Sequence, residues 1–265
     1  MVLLLMKERL VDIPTPSGSM DTFVVHPQEH APFPAVVVFM DVWGLREELF
    51  DIARRIATVG YYCLVPNFYY RQGKIRHEFR DRNGRTMSLD RLSQQDQDIV
   101  LAPSRKLSDA MVVDDTGALL AFLDRGEPAR PGAMGCIGYC MGGRHVFRAA
   151  ANFPQRFRAS ISLHGTSLVT DQADSPHLAA KNADGEIYCG FGEKDRFTLP
   201  ATIHAIESTL RDCKVKFSCE VHKGADHGYA LPDRDVYDKL AANRDWELLF
   251  RMFQRQLASA REPGK

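Results

Sequence analysis

The sequence predicts an α/β fold, a mostly parallel central sheet flanked by helices on both faces, and three observations carry that prediction. Residues 35–40 (A-V-V-V-F-M) and 61–65 (Y-Y-C-L-V) are apolar at every position, the pattern of strands covered on both faces. Between them, Arg46 to Val59 sets Leu49, Ile52, Ala53, Ile56 and Val59 on one helical face before Gly60, so the order is strand, helix, strand, as in a right-handed parallel crossover. The third observation is Gly138-Tyr139-Cys140-Met141-Gly142, which follows a short apolar strand (Met134, Cys136, Ile137) and precedes a helix over Arg144 to Asn152. That strand, sharp turn and helix are the setting of a nucleophile elbow, here with sulfur where a serine hydroxyl is usual.

The remaining elements follow in chain order. Thr22 to His26 reads as a first strand, and Pro27 to Pro34 as the turn into the second. Arg71 to about Asp98 is polar and rich in arginine, a candidate cap inserted at about 71–98 or a solvated excursion. Asp109 to Leu123 is helical. After the elbow helix come strands at 159–164, 186–191 and 215–221, a helix from Pro200 to Arg211, and a long amphipathic helix from Asp235 to Ala258 with Trp246, Leu249, Phe250 and Phe253 as its stripe.

The 265 residues fit one domain over 1–265, and the 34 basic residues balanced by 34 acidic ones argue for a small-molecule partner over nucleic acid or a membrane surface. The apolar opening from Met1 to Met6 is interrupted by Lys7, Glu8 and Arg9 before it can act as a secretory segment, so a cytoplasmic location is expected. The cysteines at 63, 136, 140, 189, 213 and 219 form no metal-ligand spacing; reduced thiols and no metal are expected. Oligomeric state is left open.

Cys140, Asp195 and His227 each follow a strand at its C-terminal end, where open α/β sheets keep their sites, and they occur in the order nucleophile, acid, base of the α/β-hydrolase fold. A thiol must lose its proton to attack, imidazole takes and returns a proton near neutrality, and a carboxylate fixes the ring's tautomer. His164, also at a strand end, is the rival base. The backbone N–H groups of Met141 and Val42 are the expected oxyanion donors. Trp43, Phe68, Tyr69, Tyr70, Arg71 and Tyr229 are candidates for the substrate-binding wall or, equally, for the core. Cys140 could alternatively be an oxidation sensor in a binding protein, or the triad could serve a thioesterase.

The motifs G-Y-C-M-G-G, D-V-W-G after V-V-V-F, P-N-F-Y-Y-R, the G-E-K-D turn and D-H-G-Y together resemble the dienelactone hydrolase family over nearly the whole chain. The resemblance implies a cysteine hydrolase of an ester or lactone that uses neither metal nor cofactor. It also implies thiol activation from the position of Asp41, where the type enzymes carry a glutamate. Those enzymes bind a substrate carboxylate through an arginine shortly after the catalytic histidine; Gly228 to Pro232 holds none, so a neutral ester or lactone is expected, with Arg71, Arg80 and Arg82 the residues that could supply a cation instead.

Overall fold

The computed structural model describes residues 5–258. Met1 to Leu4 of the apolar opening lie outside them. Eight strands form one sheet: β1 (Met6–Thr15), β2 (Gly18–Pro27), β3 (Ala35–Phe39), β4 (Tyr62–Pro66), β5 (Met134–Tyr139), β6 (Phe157–Leu163), β7 (Glu186–Gly192) and β8 (Lys216–His222). Their spatial order is β1-β2-β4-β3-β5-β6-β7-β8. The pairings β1–β2 and β2–β4 are antiparallel, and all from β4 onward are parallel. The fully apolar runs are the middle of this sheet: β3, β4 and β5 are buried at every residue.

Two groups of helices cover it. Helix α1 (Glu47–Ala57) and α7 (Lys239–Leu257) lie together, with the Arg55 guanidinium 4.0 Å from the centre of the Trp246 ring. Helices α2 (Gln94–Arg105), α3 (Asp109–Leu123), α4 (Met141–Asn152), α5 (Pro176–Ala179) and α6 (Pro200–Asp212) complete the set, and α4 packs on α3, α5 and strands β3, β5 and β6. The α/β-hydrolase architecture expected from the sequence is present.

Several boundaries differ from the sequence reading. Strand β1 has no counterpart in it, because M-K-E-R-L-V-D-I-P-T is an edge strand with Ile13 as its only buried residue and so lacks an apolar face. Helix α2 cuts into the segment read as a polar insertion: its first turn, Q-Q-D-Q, is polar, and Ser93 caps it by accepting the Asp96 N–H at 3.2 Å. Helix α4 begins at Met141 and not Arg144, so its N-terminus lies at the nucleophile itself. Helix α7 starts four residues later than expected, where the Asp238 carboxylate accepts the Leu240 and Ala241 N–H groups. The stretch between β4 and α2 is tied down at both ends. Arg71 and Tyr70 bond Asp115 of α3, and Thr86 exchanges backbone hydrogen bonds with Asp233 and Asp235.

Candidate active site

Cys140 occupies the turn between β5 and α4 with φ at +53°, a left-handed conformation that costs a non-glycine residue about 1–3 kcal/mol. Neighbouring glycines make the turn possible. A Cβ on Gly138 would sit 2.1 Å from the Gly142 carbonyl oxygen, and one on Gly142 would sit 2.3 Å from that of Phe39. Hydrogen bonds then fix the strained residue: its N–H donates to the Leu163 carbonyl at 3.1 Å and to His164 Nδ1 at 3.2 Å, and its carbonyl accepts from Gly143 and Thr166.

The loops after β7 and β8 bring Asp195 and His227 to this turn. His227 Nδ1–H donates to Asp195 Oδ2 at 2.8 Å, and the ring lines the same two cavities as Cys140. The other carboxylate oxygen of Asp195 accepts the Phe197 N–H at 2.8 Å. Burial works against the imidazolium, yet Cys140 and then Asp195 outweigh it, and the His227 pKa rises from 6.5 to about 9. His164, the rival, is brought to the same place but in another role. It is fully buried, its Nδ1 is spent on the Cys140 N–H, and burial followed by the His227 and Arg234 charges holds its pKa well below 6.5. It touches no carboxylate that could orient it as a base, and its ring lies edge-on to His227 with centroids 5.0 Å apart.

Val42 and Met141, the expected oxyanion donors, flank Cys140 in the wall of a cavity of about 540 Å³. Tyr69 stands behind them, its hydroxyl 3.3 Å from the Val42 carbonyl and 3.6 Å from Met141 Sδ. Leu89, Leu101, Leu107 and Phe197 supply most of the apolar lining, and His145, Arg144 and Asp109 line it as well.

Other expected residues are held by polar partners of their own. Asp41, proposed to act on the thiol, is clamped by Arg46, which donates to both its oxygens at 2.6 and 2.9 Å, and Asp41 also accepts the Trp43 N–H at 3.1 Å. Its contacts shape the loop that carries Val42. Tyr70 and Arg71 satisfy the buried Asp115 carboxylate and are absent from the cavity wall. Tyr229 is fully buried behind His164, its hydroxyl donating to Asp245 at 2.6 Å in a network that also holds Tyr188 and His222. Arg80 bonds the Gly84 carbonyl at the surface. Asp41 and Trp43 do reach the site, lining a smaller cleft beside Cys140.

That cleft holds a cation other than Arg71, Arg80 and Arg82, the residues expected to supply one. Arg234 lines it together with Cys140 and His227. Its side chain is 4% exposed, stacks 4.8 Å from the centre of the Trp43 ring, and leaves Nε without a hydrogen-bond partner. The Asp41 carboxylate is 3.9 Å away and engaged by Arg46. Burial lowers the Arg234 pKa, as expected for a cation short of partners. Sequence proximity hides this residue: it follows His227 by seven positions, and the turn through Gly228 (φ +94°) folds it back.

The sequence pattern described as "Dienelactone hydrolase family" matches residues 20–257. A Synechocystis protein named "Putative carboxymethylenebutenolidase" is 26% identical over 258 residues, covering 95% of this chain and 98% of that protein. A crystal structure of a Klebsiella pneumoniae "Putative Dienelactone Hydrolase" superposes with a TM-score of 0.81 at 23% identity, covering 95% of this chain and 99% of the other. A dienelactone hydrolase-like promiscuous phosphotriesterase from metagenomic libraries gives a TM-score of 0.72 at 20% identity, covering 95% and 98%. No helix among the described residues is long and apolar enough to cross a membrane.

Proposed function

The chain belongs to the dienelactone hydrolase family, and on that premise we propose that it hydrolyses a carboxylic ester or lactone through an acyl-thioester on Cys140. The observation that carries the reading is His227, which lines both cavities together with Cys140 and donates its Nδ1–H to Asp195 at 2.8 Å. An imidazole beside a thiol and held by a buried carboxylate is the arrangement of nucleophile, base and orienting acid.

The steps follow from the geometry. With the thiol proton on His227, the Cys140 sulfur attacks the carbonyl carbon, and the new oxyanion takes hydrogen bonds from the Met141 and Val42 N–H groups. The α4 N-terminus, starting at Met141, adds the positive end of its dipole. Collapse breaks the C–O bond as the His227 proton passes to the leaving alkoxide, leaving the acyl group on sulfur. A water molecule then gives its proton to His227 and attacks the thioester; the second collapse expels the sulfur and frees the carboxylic acid. Asp195 holds Nδ1–H throughout, so Nε2 faces the reaction.

Arg234 supports an acidic substrate. A buried guanidinium with an unmet Nε beside the nucleophile suits a substrate carboxylate, which would restore the charge pairing that burial demands. The decisive experiment is intact-mass analysis after rapid quenching with an activated ester: an acyl adduct mapping to Cys140, absent in Cys140→Ala and long-lived in His227→Ala, is expected. Turnover that persists in Cys140→Ala would overturn the assignment.

A further inference from the structure

Of the polar side chains that line the larger cavity and take no part in the hydrolytic steps, Ser104, Ser108, Asp109, Arg144, Thr166 and Ser167 among them, His145 is the one with buried nitrogens that lack a hydrogen-bond partner among the described residues. His145 lies on α4 five residues after Cys140, about 7.5 Å further along the helix axis at 1.5 Å per residue. It is 3% exposed, it lines the cavity of about 540 Å³, and neither of its ring nitrogens has a hydrogen-bond partner. Its other neighbours are aromatic, Phe68 at 5.6 Å and Phe39 at 6.1 Å between ring centres. A buried imidazole with both nitrogens unmet is rare, because each forgoes the hydrogen bond it had in water.

The charges around it decide its protonation and its ligand. Burial, reinforced by Arg144 and Arg148 and opposed by Asp109, lowers its pKa to about 3, so the ring is neutral and offers one donor and one acceptor. Arg144, which also lines the cavity, has its guanidinium committed: Nε donates to Asp109 at 2.7 Å, a second nitrogen to the same carboxylate, and the third to the Ser167 carbonyl at 2.6 Å. Arg148 is likewise bound to Asp109 and to the Asp174 carbonyl. Among the described residues there, neither guanidinium is left free for an anion, and the two repel an ammonium group. Met141, Leu101 and Leu107 are apolar parts of the same lining.

We propose that His145 is the specificity-determining end of this cavity, binding a neutral hydroxyl or keto group carried several bonds from the scissile carbonyl on the chain that lies along Met141. This rests on the hydrolytic reading above and names the substrate's second recognition element, opposite the Arg234 cleft.

The test compares p-nitrophenyl hexanoate with p-nitrophenyl 6-hydroxyhexanoate, and hexyl acetate with 6-hydroxyhexyl acetate, so that either side of the ester can carry the group. In the wild type, one hydroxylated member is expected to have a kcat/KM about three- to tenfold higher than its parent, the discrimination of a single neutral hydrogen bond. His145→Leu should abolish that preference, bringing the kcat/KM ratio within each pair to about 1, and His145→Gln, which keeps a donor and an acceptor, should retain part of it. Circular dichroism of both variants establishes folding, and the Gln variant keeps the comparison if Leu does not fold. Calorimetric titration of the same esters onto Cys140→Ala reads the subsite without turnover. Equal binding and equal kcat/KM within both pairs would overturn the proposal and leave His145 solvated by water; absent hydrolysis of every ester together with retained preference in binding would instead overturn the catalytic reading.

Discussion

The contact between Asp195 and His227 gives the sharpest mutational prediction, because the structure fixes what an isosteric change would do there. One Asp195 oxygen accepts the Phe197 N–H at 2.8 Å and the other accepts Nδ1–H of His227 at 2.8 Å. In Asp195→Asn the amide oxygen must stay on the Phe197 N–H, so the amide NH2 turns toward Nδ1 as a donor. The ring then has to accept at Nδ1 and carry its proton on Nε2, the tautomer that cannot take a proton from the thiol or from water. The charge is lost as well. The rise of the His227 pKa from 6.5 to about 9 is worth about 3 kcal/mol in favour of the imidazolium, with Cys140 the larger support and Asp195 the next. Removing the Asp195 charge, as Asp195→Asn and Asp195→Ala both do, should lower the His227 pKa. Asp195→Asn should therefore lose about 10³-fold in kcat, whereas Asp195→Ala, which imposes no donor, should lose less, about 10²-fold. Stopped-flow hydrolysis of an activated ester measures kcat, and NMR titration of the His227 ring measures the pKa. An Asn variant faster than the Ala variant, or a His227 pKa unchanged in both, would refute the argument from tautomer and charge.

The same histidine sets a pH dependence of stability. Its folded pKa is raised, so its contribution is complete below about pH 6.5 and is lost as the pH rises through about 9; the thermal midpoint should fall over that window in the wild type and stay flatter in His227→Gln. Burial raises the Cys136 pKa to about 12 and that of Cys63 well above 9, and the Cys219 side chain together with burial does the same for Cys189, so iodoacetamide should modify Cys140 ahead of them, with inactivation tracking Cys140 and not the exposed Cys213; peptide mapping in Cys213→Ser decides this. Arg234→Met should reduce kcat/KM for an ester bearing a free carboxylate at least tenfold while leaving its methyl ester nearly unchanged, and equal effects on the two would remove the carboxylate from the proposed substrate. Asp41→Ala leaves the buried Arg46 with Asp233 alone and should destabilise the fold by about 2–4 kcal/mol in urea titrations. A stable Asp41→Ala with an altered pH profile of Cys140 alkylation would return Asp41 to the thiol.

The central sheet and the elbow were legible in the sequence because each depends on local constraints. Six apolar residues at 35–40 suit a strand covered on both faces, and a cysteine between Gly138 and Gly142 needs glycines on both sides because backbone oxygens lie 2.1 and 2.3 Å from where a Cβ would stand. The order Cys140, Asp195, His227 was readable for the same reason, each residue following its own strand. What the sequence did not reveal depends on which groups meet across the fold. Asp41 and Arg71 have the composition of active-site residues, but burial obliges each to find an opposite charge, and it is Arg46 and Asp115 that lie within reach. Arg234 and His145 carry no signal in the chain: one is seven residues past the base and the other five past the nucleophile. They reach the cavities beside Cys140 only because the turn after His227 and the start of α4 at Met141 place them there, each with a buried nitrogen that no described residue satisfies. Periodicity and turn chemistry determine the elements, whereas the pairing of buried polar groups is a property of the packed whole, since each must satisfy its charge or hydrogen bond with whatever the tertiary fold brings beside it.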